Sequence, residues 1–336
     1  MNRPLRTGKV PPRVLESLIL PHLGGRRPEV LIRASLGEDA AVFDPGDALV
    51  VVSSDPVTAA GEGIGWYAAH VVMNDVAAGG ARPLGILVTL ILPPGSSEAL
   101  VGELQRDIAR AVGGLGAEIL GGHTEISDSV TRPVVVATAL GLAPRGRPIG
   151  SSGGRPGDQL VLTKTAGLEG TAILAIDHPG RLAAILSPAE TDRARSLLGQ
   201  LSVVPEALVA VQHGVAALHD VTEGGVLGAA WELARASGTG FTLDRRRVPV
   251  APETEKVCAA LHLDPLRLIS SGALLIAVAG GDALVEELSA AGIGAAVVGE
   301  LTERGCSVVG DEGTWELDEA FSPDDELIRL LGTWQA

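Results

Sequence analysis

The chain has 336 residues, enough for two domains of ordinary size, and it is 46% hydrophobic but only 2% aromatic, so its cores must be built from Val, Leu, Ile and Ala. A net charge of −15, from 26 basic and 41 acidic residues, argues against an electrostatic nucleic-acid binder, which needs a basic face, and suits a cytoplasmic protein with acidic metal sites. No N-terminal apolar h-region and no apolar run of membrane-spanning length is present, and Cys258 and Cys306 lack zinc-ligand spacing, so neither a membrane nor a structural zinc is expected.

Residues 1–9 are polar and read as an arm. Residues 11–23 carry helical apolar spacing, and Gly24-Gly25 stops it. SLGEDAAVF, residues 35–43, is a loop bearing Glu38 and Asp39 that enters a strand. ALVVVSS, residues 48–54, is a β-branched strand ending at Asp55. Carboxylates at strand ends and on adjoining loops are where α/β sheets place ligands. Residues 70–83, HVVMNDVAAGGARP, then read as a helix running into a glycine turn. Around Asn74 and Asp75 that helix is apolar on every face, which predicts burial. A buried carboxylate needs a compensating cation, helix-end N–H groups or a bound metal ion. Asp75 therefore either faces a charged ligand site or serves as a cap or half of a buried ion pair.

A strand over 84–92 and an amphipathic helix over 96–115 follow. A short strand over 116–120 is expected to end in a loop, GGHTE at 121–125, whose exposed N–H groups suit an oxyanion. Residues 133–142 form another strand, and the Gly-, Pro- and Ser-dense segment 144–156 is the best domain boundary, giving domains over 1–145 and 156–336. The second half opens with a strand over 159–163 and the loop KTAGLEGT, bearing Lys164, before a helix at Thr171. It lacks the Walker spacing, although a helix start after a glycine loop can hold phosphate. Helices are expected over 189–201 and 205–213. In HDVTEGG, residues 219–225, Thr222 is positioned to cap a helix with Gly224 and Gly225 in its first turn. Glycines there cost helix stability, which makes sense if a ligand approaches the backbone. From Gly240 onward the signals are structural, with strands over 271–280, 295–301, 307–309 and 314–317 and a helix over 282–291. His178, His213 and His262 read as surface or structural residues.

In this order the motifs resemble the aminoimidazole ribonucleotide synthase-like superfamily, which includes thiamine monophosphate kinase, selenophosphate synthetase and the hydrogenase-maturation factor HypE. The matching segments are GEDAAV at 37–42, SSD at 53–55, NDVAAGGARP at 74–83, GGHTE at 121–125 and HDVTEGG at 219–225, with TKTAGLEGTAIL and SSGALLIAV closest to the HypE branch. The resemblance implies a two-domain fold of mixed α/β sheets. The N-terminal domains would pair into a dimeric β-barrel beside a C-terminal α/β domain. It also implies a homodimer that uses ATP and Mg²⁺ to phosphorylate a carbonyl or amide oxygen, or a phosphate, of a small or protein-borne acceptor. By position Asp39, Asp55 and Asp75 would hold the metal. Asn74, Gly121, Gly122, Thr124, Lys164, Asp220, Thr222, Gly224 and Gly225 would contact the nucleotide, and Asp39, Asp75 and His123 would take part in catalysis.

Two departures qualify the resemblance. HypE modifies a cysteine at its own C-terminus, whereas this sequence ends GTWQA with Cys306 as its nearest cysteine, so self-modification is not expected. Selenophosphate synthetase carries a reactive Cys or selenocysteine near its N-terminus, and residues 1–40 contain no Cys. His123 stands where HypE has an acidic residue. A thiamine monophosphate kinase-like activity, or a non-catalytic nucleotide-binding maturation or regulatory role, stands as the alternative.

Overall fold

The helix expected around Asn74 and Asp75 is α1 (Ile64–Ala78), and every residue of it except Trp66 and Val71 is buried, as its lack of a polar face requires. The computed structural model describes residues 30–32, 35–38, 40–44, 46–57, 63–146, 148–317, 321–322 and 324–335, together with Pro12 and Glu16. Asp39 and most of the helix expected over 11–23 lie outside the described residues.

One face of α1 covers a six-stranded sheet. Its strands are β1 (Val30–Ile32), β2 (Ala41–Phe43), β3 (Leu49–Val57), β4 (Arg82–Leu92), β5 (Glu118–Ile126) and β6 (Val134–Ala143), in the order β1-β2-β3-β6-β4-β5. Alternation along β6 sends Val135, Ala137 and Ala139 into a core shared with Val51, Ile86 and α1 residues Val72 and Val76. Helix α2 (Glu98–Gly114), capped by the Ser97 hydroxyl, closes the same side. The outer face keeps Leu84, Leu87, Leu120 and Leu142 exposed.

The second sheet has seven strands: β7 (Gln159–Thr163), β8 (Ala217–Val221), β9 (Gly240–Asp244), β10 (Ala273–Val278), β11 (Ala295–Thr302), β12 (Cys306–Gly310) and β13 (Gly313–Leu317), ordered β13-β12-β9-β11-β7-β10-β8. β10 is buried along its whole length, as its unbroken apolar run requires. Around the sheet lie α3 (Leu168–Asp177), α4 (Pro179–Leu182), α5 (Pro188–Ser196), α6 (Val204–His213), α7 (Gly225–Ser237), α8 (Pro252–Leu261), α9 (Gly281–Ala290) and α10 (Glu326–Gln335). Helices α8 and α10 and strand β9 were not among the sequence expectations.

The two halves meet on α1. Tyr67 belongs to the core of the seven-stranded sheet, and Ala77 and Ala78 pack with α6 and β10. Asn74, fully buried, donates to Leu201 O at 2.8 Å and accepts from Val203 N–H at 2.9 Å. α1 is thus common structure for both halves, which positions its polar residues between them.

Two local expectations are corrected. GGHTE is not a loop: β5 runs through it as the exposed edge of the first sheet, paired in parallel with β4. At Gly122, with φ +153°, an added Cβ would stand 1.8 Å from Val88 O, so the glycine is required by strand approach rather than by a ligand. Nor does Thr222 cap α7. The cap is Gly224 at φ 88°, a left-handed conformation that glycine adopts without strain.

Candidate functional site

A cavity of about 830 Å³ lies between α1, β3 and the turns of the second sheet. Its α1 wall is Tyr67, Val71 and Asp75, and its α3 wall is Glu169, Ile173 and Asp177. Both sets have four-residue spacing, the interval that brings side chains onto one helical face. Strand β3 adds Ser53, Ser54 and Asp55, and the turn after β8 adds Asp220, Thr222 and Glu223.

Asp75 is 7% exposed, and its Oδ2 accepts from the Ser53 hydroxyl at 2.6 Å. The helix thus holds its carboxylate against β3, where Asp55 also faces the cavity. β3 continues past Asp55 to Val57, so Asp55 is a mid-strand residue rather than a strand end. Asp220 approaches from the second half, 2% exposed at the end of β8. Behind it His219 is held at Nδ1 by the Ser151 hydroxyl (2.9 Å) and at Nε2 by Glu232 (3.1 Å). This chain fixes the end of the strand and hence the aim of Asp220. Glu38, also at the cavity, accepts from Ser151 N–H at 3.1 Å and ties the GEDAAV loop to the same point.

The sequence reading missed Glu169, Tyr67, Asp325 and the α10 wall. Glu169 is buried at the start of α3, and Oε2 accepts from Ser271 N–H at 3.0 Å. Burial pushes its carboxyl up to about 7 against these hydrogen bonds. Asp325 accepts from Gly224 N–H and Leu327 N–H, each at 2.8 Å, and burial likewise pushes it up to about 6. The backbone approach expected at Gly224 is therefore made by the chain's own Asp325. Tyr67 is 3% exposed, its hydroxyl has no partner among the described residues, and burial raises it far above the ordinary phenol. From α10 come Leu327, Ile328, Leu331 and Trp334. Trp334 lies under the Arg181 guanidinium at 4.3 Å and edge-on to His178 at 5.0 Å, and His178, expected to be a surface or structural residue, lines the cavity. The α10 helix was legible in part: Leu327, Ile328, Leu330, Leu331 and Trp334 have helical spacing after a capping-type Asp.

Other sequence candidates lie elsewhere. Asn74 is next to Asp75 but points to residues 201–203. Lys164, at φ 53°, is half-buried with its ammonium bonded to Glu206, Ser202 O (2.6 Å) and Gly272 O (2.5 Å), and does not line the cavity. Gly121, Gly122, His123 and Thr124 lie on the exposed edge strand, with His123 Nε2 3.2 Å from Glu125. Gly225 is the first residue of α7, with an added Cβ 2.6 Å from Leu266 O, so packing already demands glycine there. Of the expected set, the structure brings together Asp55, Asp75, Asp220 and Thr222. No group of three His, Cys, Asp or Glu side chains among the described residues is close enough to cage a metal on its own.

Residues 37–143 match the N-terminal domain of AIR synthase related protein, and residues 155–311 match its C-terminal domain. The chain belongs to the AIR synthase related protein family. Carbamoyl dehydratase HypE of Cupriavidus necator is 32% identical over 284 residues, which is 80% of this chain and 78% of that one. A crystal structure of the hydrogenase maturation protein HypE in complex with ATP superposes with a TM-score of 0.71 at 21% identity, covering 94% of this chain and 96% of that one. AaThiL complexed with AMPPCP and TMP does so with a TM-score of 0.68 at 19% identity, covering 85% and 93%. Two-domain architecture and mixed sheets are common to this AIR synthase-related chain and those folds. No single helix among the described residues is long and apolar enough to cross a membrane.

Proposed function

We propose that this AIR synthase-related protein binds Mg-ATP in the 830 Å³ cavity and transfers the γ-phosphoryl group to a carbonyl or amide oxygen, or a phosphate, of an acceptor. The observation that carries the reading is the convergence of Asp55, Asp75 and Asp220, from three separate elements of two half-chains, on one cavity. Carboxylates drawn together repel one another unless a cation or hydrogen-bond donors offset the charge. Oxygen donors suit Mg²⁺, which is held through one or two carboxylates plus substrate phosphates. Asp55 and Asp75 would hold it, with Asp39 completing the set by its place in the family motif, and Asp220 and Thr222 would face the nucleotide from the other half. The metal's contribution is to neutralise charge on the phosphate oxygens. The ATP complex of the HypE fold neighbour supports the nucleotide, and HypE relatives support activation of a carbamoyl-type oxygen.

The reading extends to assembly and location: domains over 1–145 and 156–336, a cytoplasmic setting, and a homodimer. Exposed Leu84, Leu87, Leu120 and Leu142 on the outer face of the first sheet support pairing with a second copy. Light scattering at micromolar concentration is expected to give a dimer. The AaThiL likeness favours a second reading, thiamine monophosphate kinase-like transfer to a phosphate, and a binding-only role is the third. Titration calorimetry with Mg-ATP on wild type and Asp75→Asn, together with an ADP-release assay, separates them. Wild type should bind, and the variant should lose at least about tenfold in affinity, the scale of a charged contact. Binding without ADP release for any acceptor leaves the binding-only role. Equal binding by the two proteins removes the metal-site reading of Asp75.

A further inference from the structure

Glu169 has no place in the ATP site just described, yet it is a buried carboxylate on the cavity wall, outside the Asp55–Asp75–Asp220 group and only 5% exposed. It is fixed rather than loose: Oε2 takes the Ser271 N–H, and α3 begins one residue earlier. Through Asp325, which caps the Gly224 turn, it lies beside the loop that carries Asp220 and Thr222. Across the cavity Tyr67 presents a hydroxyl that is buried and without a partner among the described residues. A buried hydroxyl with no partner is the exception in proteins and asks for a ligand group.

The charges around this pair decide what that group can be. Tyr67 from α1 and Asp325 ahead of α10 are the charged or titratable neighbours of Glu169, and the same cavity is lined by Asp220 and Glu223 from the β8 turn and by Asp177 further along α3. Nearby cations are engaged elsewhere: Lys164 with Glu206, Arg193 with Glu253. Arg181 stands beyond the far end of α3, over Trp334. A second anion would be repelled here. A neutral hydroxyl or amide would find both a donor and an acceptor.

Resting on the ATP reading above, we propose that Tyr67, Glu169 and Ser271 form the acceptor subsite, that the acceptor is a neutral hydroxyl or amide compound, and that Glu169 is its general base. The acceptor oxygen forms a bond to the γ-phosphorus as the bond from that phosphorus to the β,γ-bridging oxygen breaks. ADP leaves with that electron pair. The proton of the hydroxyl, or of the amide nitrogen, passes to the Glu169 carboxylate. Atoms and charge balance without a further reactant. A carboxyl pushed up to about 7 is matched to accepting a proton near neutrality.

The test is single-turnover ADP release from Mg-ATP with water and with methanol as acceptors, from about pH 5 to about pH 9. Wild type should quicken by about tenfold per pH unit below 7 and level off above it. Glu169→Gln keeps an acceptor for Ser271 N–H. It should bind ATP within about twofold of wild type, lose at least about tenfold in rate at high pH, and show a flat profile. Glu169→Asp should keep the pH-dependent limb at reduced rate, and Tyr67→Phe should weaken methanol saturation more than it lowers the maximal rate. A Glu169→Gln protein that keeps the wild-type rate and profile overturns the proposal and leaves the ATP reading standing. Wild type that binds Mg-ATP but releases no ADP with either acceptor overturns it as well. Wild type that binds no ATP overturns both.

Discussion

Glu206 and Glu169 are both buried carboxylates of the second half-chain, and they end differently. Glu206, on α6, meets the Lys164 ammonium and accepts from Thr163 Oγ1 at 3.3 Å, while Lys164 finishes its donors on two carbonyls. Every charge in that cluster has its opposite within the protein, and the cluster is closed to the cavity. Glu169 takes the Ser271 N–H, has no cation bonded to it among the described residues, shares its cavity with other carboxyls, and opens onto that cavity. The lesson is that burial alone does not mark a site. A buried charge matched inside the fold is structural, and one left to carboxyl neighbours and a ligand-sized space is a candidate for chemistry.

The strongest way to break this comparison is Glu206→Ala. It leaves the half-buried Lys164 ammonium without its carboxylate, with only the Ser202 and Gly272 carbonyls, and should cost about 3 kcal/mol in denaturant unfolding. ATP affinity of the folded protein should not change, because neither partner lines the cavity. A loss of ATP binding at full stability would reverse the assignment.

The second effect is a pH dependence of the apo protein. Glu169 and Asp325 are both raised by burial, to about 7 and about 6. Carboxyls of the unfolded chain release their protons near pH 4, so between there and about 7 the folded state holds more protons. Stability should therefore be full at the acid end of that window and fall as pH rises through it. The Glu169 share is on the order of 3 kcal/mol, and Glu169→Gln should remove it. Melts that rise across this window in wild type would show that the carboxyl is matched after all.

Asn74→Ala sharpens the contrast between neighbours on α1. It removes two buried hydrogen bonds to residues 201–203 and should destabilise by about 1–3 kcal/mol. Asp75→Asn, one residue on, should leave apo stability within about 1 kcal/mol, since the amide oxygen still accepts from Ser53. The smallest effect is expected for Thr222→Ala. It should change stability by less than about 0.5 kcal/mol, because Gly224 rather than Thr222 caps α7. A loss of about 1 kcal/mol would restore its capping role.

Much of the fold was legible in periodicity. The strand over 159–163 appears as β7, and the runs at 133–142 and 295–301 appear within a residue of their expected bounds. Burial of α1 followed from a helix with no polar face. The failures share one cause: they concern what a residue meets across space. A GG pair followed by His-Thr-Glu can be an anion-binding loop or an edge strand pressed against its neighbour, and the Gly122–Val88 approach that decides it lies between β5 and β4, more than thirty positions apart. Lys164 follows a strand and precedes a glycine loop, which suits phosphate equally well. What removes it is Glu206, on a helix later in the chain.

By itself the sequence determined which segments are helix or strand, that α1 must be buried, and that carboxylates stand on loops and strands able to converge, because these follow from local spacing and composition. Tertiary structure alone decided which of those carboxylates share the cavity, that Asp325 rather than a ligand takes the Gly224 N–H, and that Glu169 and Tyr67 face the same space. Proximity between distant segments, and the solvation it removes, is a property of the packed chain and has no signature in local sequence.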